Sequence, residues 1–381
     1  MVEWIKNHRA AAIAAALAAA TVALAVIAFV SRKPGETLNP QQQIGVKWIK
    51  PPGSEADYAG SEACKSCHIK EYQEYHASPH SHTLKQIVNG DERPEFALKQ
   101  TVMDDRNNVR YSVAKGGGKN QEVAATPSGS QAAAARWAFG SGAQAFTYLA
   151  QNGPKFLQLR VSYYPPVNEW NFTPGSGPGT PFHSALGDPY NSTEAAACFG
   201  CHSTALIGTR KSLDLAHSVM NVGCESCHGP CRTHVNQSRR SVDLPLEKRI
   251  KPPLNNGPAA MDLCGSCHRL TVAVADENMA SSAQLARFPG QALPRSRCFR
   301  ESAGRLSCVT CHNPHESTSD QGLASFESKC ISCHTAPHGS PCARGETFGC
   351  IKCHMPEEKI AARLSLKFHN HWIRRNPLGL D

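Results

Sequence analysis

Aromatic and charged side chains are scarce in this chain of 381 residues, at 7% and 19% of the total. Glycine and proline are instead abundant, with 29 and 26 residues. A chain of this length has room for one or two domains, but the composition predicts a loop-rich fold with little conventional hydrophobic core. Something other than side chains must therefore supply part of the buried apolar volume.

Cysteine occurs in a repeated pattern that predicts a bound apolar group. The chain holds seven copies of Cys-x-x-Cys-His, numbered here motif 1 to motif 7 in chain order. Two thiols at this spacing can bond one porphyrin, and the His that follows becomes an iron ligand, so the pattern is typical of covalent haem c. Zinc sites and thioredoxin-like pairs also use Cys-x-x-Cys, but neither requires His directly after the second Cys. The predicted attachment residues are Cys64, Cys67, Cys198, Cys201, Cys224, Cys227, Cys264, Cys267, Cys308, Cys311, Cys330, Cys333, Cys350 and Cys353, and the predicted proximal iron ligands are His68, His202, His228, His268, His312, His334 and His354.

Other histidines are numerous enough to ligate the opposite faces of seven haems. A His only a few residues beyond a motif, such as His234, His315 or His338, cannot easily cross its own ring and is expected to bind a neighbouring iron. Methionine is the alternative ligand, but Met355 directly follows His354 and cannot reach the far side of that haem. Histidine on both faces is therefore favoured, with low to moderate potentials. The histidines available for this role are His76, His80, His82, His183, His217, His234, His315, His338, His369 and His371.

The formal charge of +9 would by itself suggest an acidic partner. Each oxidised haem with two imidazole ligands contributes about −1, so seven of them reduce the net charge to about +2. The sequence therefore gives no reason to expect nucleic-acid binding.

Residues 10–30 form an uncharged, alanine-rich run preceded by Lys6 and Arg9. As a helix this run is about 31 Å long, which matches the apolar thickness of a bilayer. It predicts a single transmembrane anchor with residues 1–9 on the cytoplasmic side, and a cleaved signal peptide is the alternative. Haem is attached covalently outside the cytoplasmic membrane, so we expect the haem domain in the periplasm or outside the cell.

The remainder of the chain divides by composition. Residues 31–58 are rich in Pro and Gly and predict a linker, followed by a seven-haem domain over 59–381. Within it, residues 83–197 lack a motif, and their alternating segments predict a β-hairpin insertion at about 100–165. The predicted fold class is mostly α with irregular loops, in a multihaem cytochrome c array with this insertion and one N-terminal transmembrane helix.

Three cysteines lie outside the motifs. In an oxidising compartment Cys298 and Cys342, which flank two motifs, are expected to form a disulfide. Cys231 is then left over, as a buried free thiol or as an unusual iron ligand.

Several stretches resemble the c-554-type multihaem cytochromes. They are Gly60–His68 followed by Tyr75–His80, Gly223–Pro230 followed by His234, Leu306–His315, and Cys350–Pro356. The resemblance covers about 59–381 and implies electron transfer between periplasmic partners. It also implies distal ligands at His76 or His80, His234, His315, His338 and His371, to which the supply of histidines adds His183 and His217 as candidates. Cys231 departs from the family, which usually has Gly at that position, and the hairpin insertion has no role that the resemblance explains.

The sequence favours a membrane-tethered electron-transfer cytochrome over an enzyme. Related reductases often replace one proximal His with Lys, and no Cys-x-x-Cys-Lys occurs here. The alternative is a multihaem oxidoreductase that acts on a small nitrogen or sulfur species at one open haem. Expected partners are other redox proteins or membrane quinol oxidoreductases; the sequence leaves the oligomeric state open.

Overall fold

The computed structural model describes residues 49–50, 54–178, 182–209, 211–240, 252, 254, 256–268, 282–334, 342, 346, 348–361 and 364–375. All of them belong to the larger of the two units into which the chain divides, Gln41–Asp381. The predicted anchor at 10–30 and the candidate ligand His338 lie outside the described residues.

Two antiparallel sheets fill most of the region between motif 1 and motif 2. One has four strands in sequence order, and its second strand, β4 (Val109–Gly116), alternates buried Val109, exposed Arg110 and buried Tyr111, the pattern of a sheet with one face covered. The other has five strands in the order β12-β9-β8-β7-β2. The bounds are β2 (Leu84–Gln86), β3 (Thr101–Asp104), β4 (Val109–Gly116), β5 (Lys119–Thr126), β6 (Gly129–Ala134), β7 (Trp137–Phe139), β8 (Thr147–Asn152), β9 (Lys155–Leu159) and β12 (Gly187–Tyr190).

Aromatic side chains form the core of this region. Phe96, Tyr148 and Trp170 are buried together, with ring centroids 5.0 to 5.5 Å apart. The hydroxyl of Tyr148 donates to the carboxylate of Glu95 at 2.8 Å, and the Nε of Arg93 donates to the same oxygen at 2.7 Å. The buried side chains of Tyr148, Glu95 and Arg93 are therefore paired with one another.

A second core fixes motif 2 against the five-stranded sheet. Helix α2 (Ser192–Cys201) begins at a capping box formed by Asn191 and Glu194 and ends within the motif. Its Phe199 is fully buried, and its ring lies 5.0 to 5.7 Å from three aromatic rings of the sheet, Trp137, Phe139 and Phe156. The sheet thus sets the position of the first histidine after this helix, His202.

Three smaller sheets complete the β structure. A three-stranded sheet has the order β1-β13-β14, in which β1 runs parallel to β13, and β10–β11 and β15–β16 are two-stranded. Part of the segment predicted as a linker thus lies on the folded unit, because Ile49 and Lys50 form β1 and Tyr58 is buried. The bounds are β1 (Ile49–Lys50), β10 (Val161–Tyr164), β11 (Glu169–Phe172), β13 (Ser203–Thr209), β14 (Ser212–Met220), β15 (Glu357–Ala361) and β16 (Leu364–His369).

The described helices are short, and many contain or adjoin a motif. Helix α5 (Gly257–His268), for example, has 12 residues, and helix α12 (Cys350–His354) has five. The other bounds are α1 (Ile69–Ala77), α3 (Cys224–His228), α4 (Arg232–Ser238), α5 (Gly257–His268), α6 (Ser282–Arg287), α7 (Pro289–Ala292), α8 (Arg297–Glu301), α9 (Cys308–Cys311), α10 (Thr318–Gln321), α11 (Leu323–Ile331) and α12 (Cys350–His354).

The mostly α fold class predicted from the sequence is wrong. Strands occur at about 100–165 as expected, but the five sheets extend beyond that insertion, with β13 and β14 directly after motif 2 and β15 and β16 after motif 7. A motif needs only one helical turn, which leaves the connecting segments free to pair as strands. As for the predicted transmembrane helix, none of the helices described is long and apolar enough to cross a membrane.

Candidate functional site

The Cys-x-x-Cys-His motifs fold as single helical turns. Helices α3 and α12 each coincide with a whole motif, and α5 ends with one. In motifs 1, 5 and 6 the His amide donates to the carbonyl of the first Cys at 2.9 Å, which is the helical bond between residues four apart. Residues at i, i+3 and i+4 share one face of a helix. Each turn therefore brings two thiols and one imidazole to the same side.

Three of these proximal histidines face a histidine from elsewhere in the chain. His228 of motif 3 lies opposite His315, with ring centroids 6.3 Å apart and an interplanar angle of 9°. The rings of His312 in motif 5 and His371 are 6.1 Å apart. The third pair, His268 of motif 4 and His80, is 6.2 Å apart.

This separation is the one that two imidazoles on a single metal require. A metal–nitrogen bond of about 2.0 Å on each side, plus about 1.1 Å from that nitrogen to the ring centroid, places the centroids about 6.2 Å apart. The spacing of the paired histidines would therefore allow each pair to hold one haem iron.

Backbone carbonyls fix the orientation of several of these rings. The Nδ1 of His202 lies 2.9 Å from the carbonyl of Thr83, and the Nδ1 of His354 lies 2.7 Å from that of Arg374. The Nδ1 of His371 lies 3.1 Å from the carbonyl of His369. A carbonyl can only accept, so Nδ1 carries the proton and Nε2 is left with a lone pair for a metal. Every residue has a backbone carbonyl, so the sequence does not predict which carbonyls orient these histidine rings.

Desolvation favours the neutral form of five of these histidines. It lowers the pKa of His268 and of His371, each to about 4, and it also lowers the pKa of His80, His202 and His312. Neutral imidazole is the form that binds a metal. These side chains therefore need not lose a proton near pH 7 before they ligate iron.

The remaining distal candidates have varied surroundings. His183 and His217 are largely exposed, at 61% and 60%, and their Nδ1 atoms lie 3.2 Å from Asp188 and 2.8 Å from Asp214. His76 is also exposed, and its ring is 5.7 Å from that of His82 in an edge-on arrangement.

His234 is different, because its Nδ1 is buried without a hydrogen-bond partner among the described residues. A buried unpaired nitrogen is costly, and ligation of iron by the other ring nitrogen would not remove that need. Of the proximal set, His68 and His334 close their motif turns, as described above.

Motifs distant in the sequence lie in contact. The thiols of Cys64 and Cys224 share a hydrogen bond, which raises the pKa of Cys64 and lowers that of Cys224 to about 6. The thiols of Cys264 and Cys308 also share a hydrogen bond, which raises the pKa of Cys308 and lowers that of Cys264 to about 7. Motif 1 therefore adjoins motif 3, and motif 4 adjoins motif 5.

Two further contacts extend this series. The Sγ of Cys201 in motif 2 lies 3.9 Å from the carbonyl of Ser266 in motif 4. On α11, which carries the first Cys of motif 6, the carboxylate of Glu327 accepts from the amides of Gly349 at 3.1 Å and Ile351 at 3.4 Å, at the start of the motif 7 helix. The motifs thus form adjoining groups and are not spread along the chain.

A buried carboxylate that the sequence analysis missed holds motif 3 to motif 1. Glu225, inside motif 3, is 3% exposed and accepts from the amides of Ala59, Gly60 and Cys231 at 2.7 to 2.8 Å. In return, the amide of Cys224 donates to the hydroxyl of Ser61 at 3.2 Å. The variable positions of a motif carry no signal of such a role.

The cysteines outside the motifs differ from expectation. Cys298 and Cys342 are both unbridged, so the predicted disulfide is not formed. Cys231 is buried, with its Sγ 3.0 Å from the carbonyl of Gly229, and burial raises its pKa to about 11. These properties are those of an unreactive structural thiol.

Parts of the chain are similar to known cytochromes. Residues 63–118 and 183–229 match the family described as cytochrome c554 and c-prime. The multiheme cytochrome MtrA of Shewanella baltica is 28% identical in an alignment of 184 residues that covers 39% of this chain and 55% of MtrA. The matched part is thus about half the length of that relative. The crystal structure of the outer cell wall cytochrome OcwA covers 84% of this chain and 80% of its own, at 14% identity and a TM-score of 0.45.

The motifs, the paired histidines and the family match together define a c-type cytochrome. The chain is thus similar to multihaem c-type cytochromes, a class of protein that binds haem c covalently and transfers electrons.

Proposed function

We propose that all seven motifs bind haem c, that histidine ligates both faces of each haem, and that the chain relays electrons outside the cytoplasmic membrane. The single observation that carries this proposal is the set of three histidine pairs at 6.1 to 6.3 Å. When bound, haem supplies an iron that cycles between ferric and ferrous states.

Paired histidines favour electron transfer over substrate binding at these sites. An imidazole on each side of a haem iron would leave no coordination position for water, nitrite or another small ligand. The carbonyl at Nδ1 of His371 restricts rotation of its ring. Oxidation and reduction can then proceed with little movement of protein atoms.

The contacts between motifs support relay within one chain. Motif 1 adjoins motif 3 through Glu225, motif 4 adjoins motif 5 through Cys264 and Cys308, and Glu327 joins motif 6 to motif 7. Sites held this close allow an electron to pass from one to the next without a diffusing carrier. We propose other redox proteins or membrane quinol oxidoreductases as donors and acceptors.

The location is part of the proposal. Covalent haem attachment outside the cytoplasmic membrane requires export, and the apolar run at residues 10–30 supports it. If the mature chain retains this run, it would also hold the protein at the membrane. N-terminal sequencing of the purified protein separates retention from cleavage.

Spectroscopy tests the ligand assignment. Oxidised protein should show only low-spin ferric signals, and its mass after denaturation should exceed that of the bare chain by seven haems. His315→Ala should convert one haem to high spin without loss of its covalent attachment, because His228 then has no partner across the iron.

Gln86→Ala is the control, since Gln86 is exposed on β2 and carries no group that ligates iron. It should leave the spectrum unchanged. An unchanged spectrum in His315→Ala would refute the pairing. A high-spin haem in the unmodified protein that binds nitrite or CO would favour the oxidoreductase alternative.

A further inference from the structure

Four consecutive residues, His312-Asn313-Pro314-His315, lie between two of the histidine pairs. His312 faces His371 at 6.1 Å, and His315 faces His228 at 6.3 Å. The Cα atoms of residues three positions apart are at most about 10 Å from each other. The sites of motif 3 and motif 5 are therefore joined by one short segment, named here the junction loop.

The junction loop also contacts the third pair. The imidazole of His80 forms a hydrogen bond with the backbone carbonyl of Pro314. His80 faces His268 of motif 4 at 6.2 Å. A proline has no amide proton, so its carbonyl is the only backbone group it can offer to His80. A displacement of this loop would thus alter the sites of motifs 3, 4 and 5 together.

One side chain outside the loop holds it in place. Gln321, the last residue of α10, accepts from the amide of Asn313 at 3.0 Å and donates to the carbonyl of Asn313 at 3.4 Å. Within the loop, the Oδ1 of Asn313 accepts from the amide of His315 at 3.2 Å. The amide group of Gln321 thus fixes the backbone at the centre of the loop.

We propose that the junction loop is the branching point of the haem array, where the sites of motifs 3, 4 and 5 meet, and that Gln321 is the positioning residue that sets the geometry of all three histidine pairs. This inference rests on the proposed ligation of haem by those pairs. Motif 2 adjoins motif 4 through the contact between Cys201 and Ser266, and motif 1 adjoins motif 3 through Glu225. Electrons from motif 1 and from motif 2 would thus converge at the loop before they reach motif 5.

The test replaces Gln321 and compares low-spin electron paramagnetic resonance signals. The three relevant signals are first identified as those lost in His315→Ala, His80→Ala and His371→Ala. Gln321→Ala should then shift the g values of these three signals and leave the other four unchanged. Gln321→Glu, which keeps the acceptor for the Asn313 amide but places a second acceptor against its carbonyl, should also shift these three signals.

Gln100→Ala is a closely matched control. Gln100 makes the same two kinds of backbone bond in the haem-free β region, since it accepts from the amide of Trp170 at 2.9 Å and donates to the carbonyl of Asn168 at 3.0 Å. It should lower stability without a shift in any signal.

The outcomes separate this inference from the proposed function. If Gln321→Ala shifts none of the signals, only one of them, or all seven, the loop is not a shared junction. Gln321→Glu decides by the same criterion if Gln321→Ala does not fold. A spectrum of the unmodified protein with only low-spin haems would still support electron transfer in each of these cases.

Discussion

Replacement of Glu225 should lower the stability of the fold substantially, although the Glu225 side chain is not a predicted haem ligand. Its carboxylate is buried and accepts three backbone amides, those of Ala59, Gly60 and Cys231. In Glu225→Gln one oxygen can still serve Ala59 and Cys231, but the new amide nitrogen faces the amide of Gly60, and two donors cannot bond. A buried donor without an acceptor costs about 1–3 kcal/mol, and loss of charge assistance adds about 1 kcal/mol. We expect the free energy of unfolding to fall by about 2–4 kcal/mol.

Denaturant titration followed by circular dichroism and by the Soret band measures this change. Glu301→Gln is the control, because Glu301 pairs with Arg297 at the surface, where ion pairs contribute about 0–1 kcal/mol. Glu225→Gln should shift the unfolding midpoint far more than the control does. Equal midpoints for the two variants would refute the conclusion that Glu225 holds motif 1 to motif 3.

Two further predictions concern the β-rich region. Burial raises the pKa of Glu122 to about 8 from 4.5, so the native state binds an additional proton between these values, and the stability that this proton contributes is lost as the pH rises through that window. Glu122→Gln should flatten the decline between pH 5 and pH 8, and an unchanged decline in the unfolding midpoint would contradict this. Phe199→Ala should cost about 3–5 kcal/mol in a denaturant titration, and the exposed control Phe348→Ala less than about 0.5 kcal/mol; similar values for both would show that the sheet does not support motif 2.

The sequence was sufficient to predict features that depend only on neighbouring residues in the chain. The Cys-x-x-Cys-His spacing identifies the haem motifs because attachment needs nothing beyond one helical turn. The patterns of 109–115 and 155–165, which end in Gly or Pro turns, located strands β4, β9 and β10. Proximity to a motif also selected His315, which the structure places opposite His228.

Features that depend on distant contacts could not be derived in this way. The side chains of His183 and His217 have the same chemistry as that of His80, yet the first two lie at the surface and the third is paired with His268. The carbonyls that orient the imidazoles belong to Thr83, Arg374 and other residues without a chemical signature. The fold class was wrong because strand pairing after motifs 2 and 7 depends on partners remote in the chain.

Iron positions give the most direct test of the central claim that paired histidines share a haem iron. An anomalous difference map of the haem-loaded protein at the iron absorption edge should show a peak midway between each pair. For His228 and His315 the peak should lie about 3 Å from either ring centroid, half of their 6.3 Å separation. Equivalent peaks should lie between His268 and His80 and between His312 and His371. Peaks beside His228, His268 and His312 but away from their partners would contradict the account.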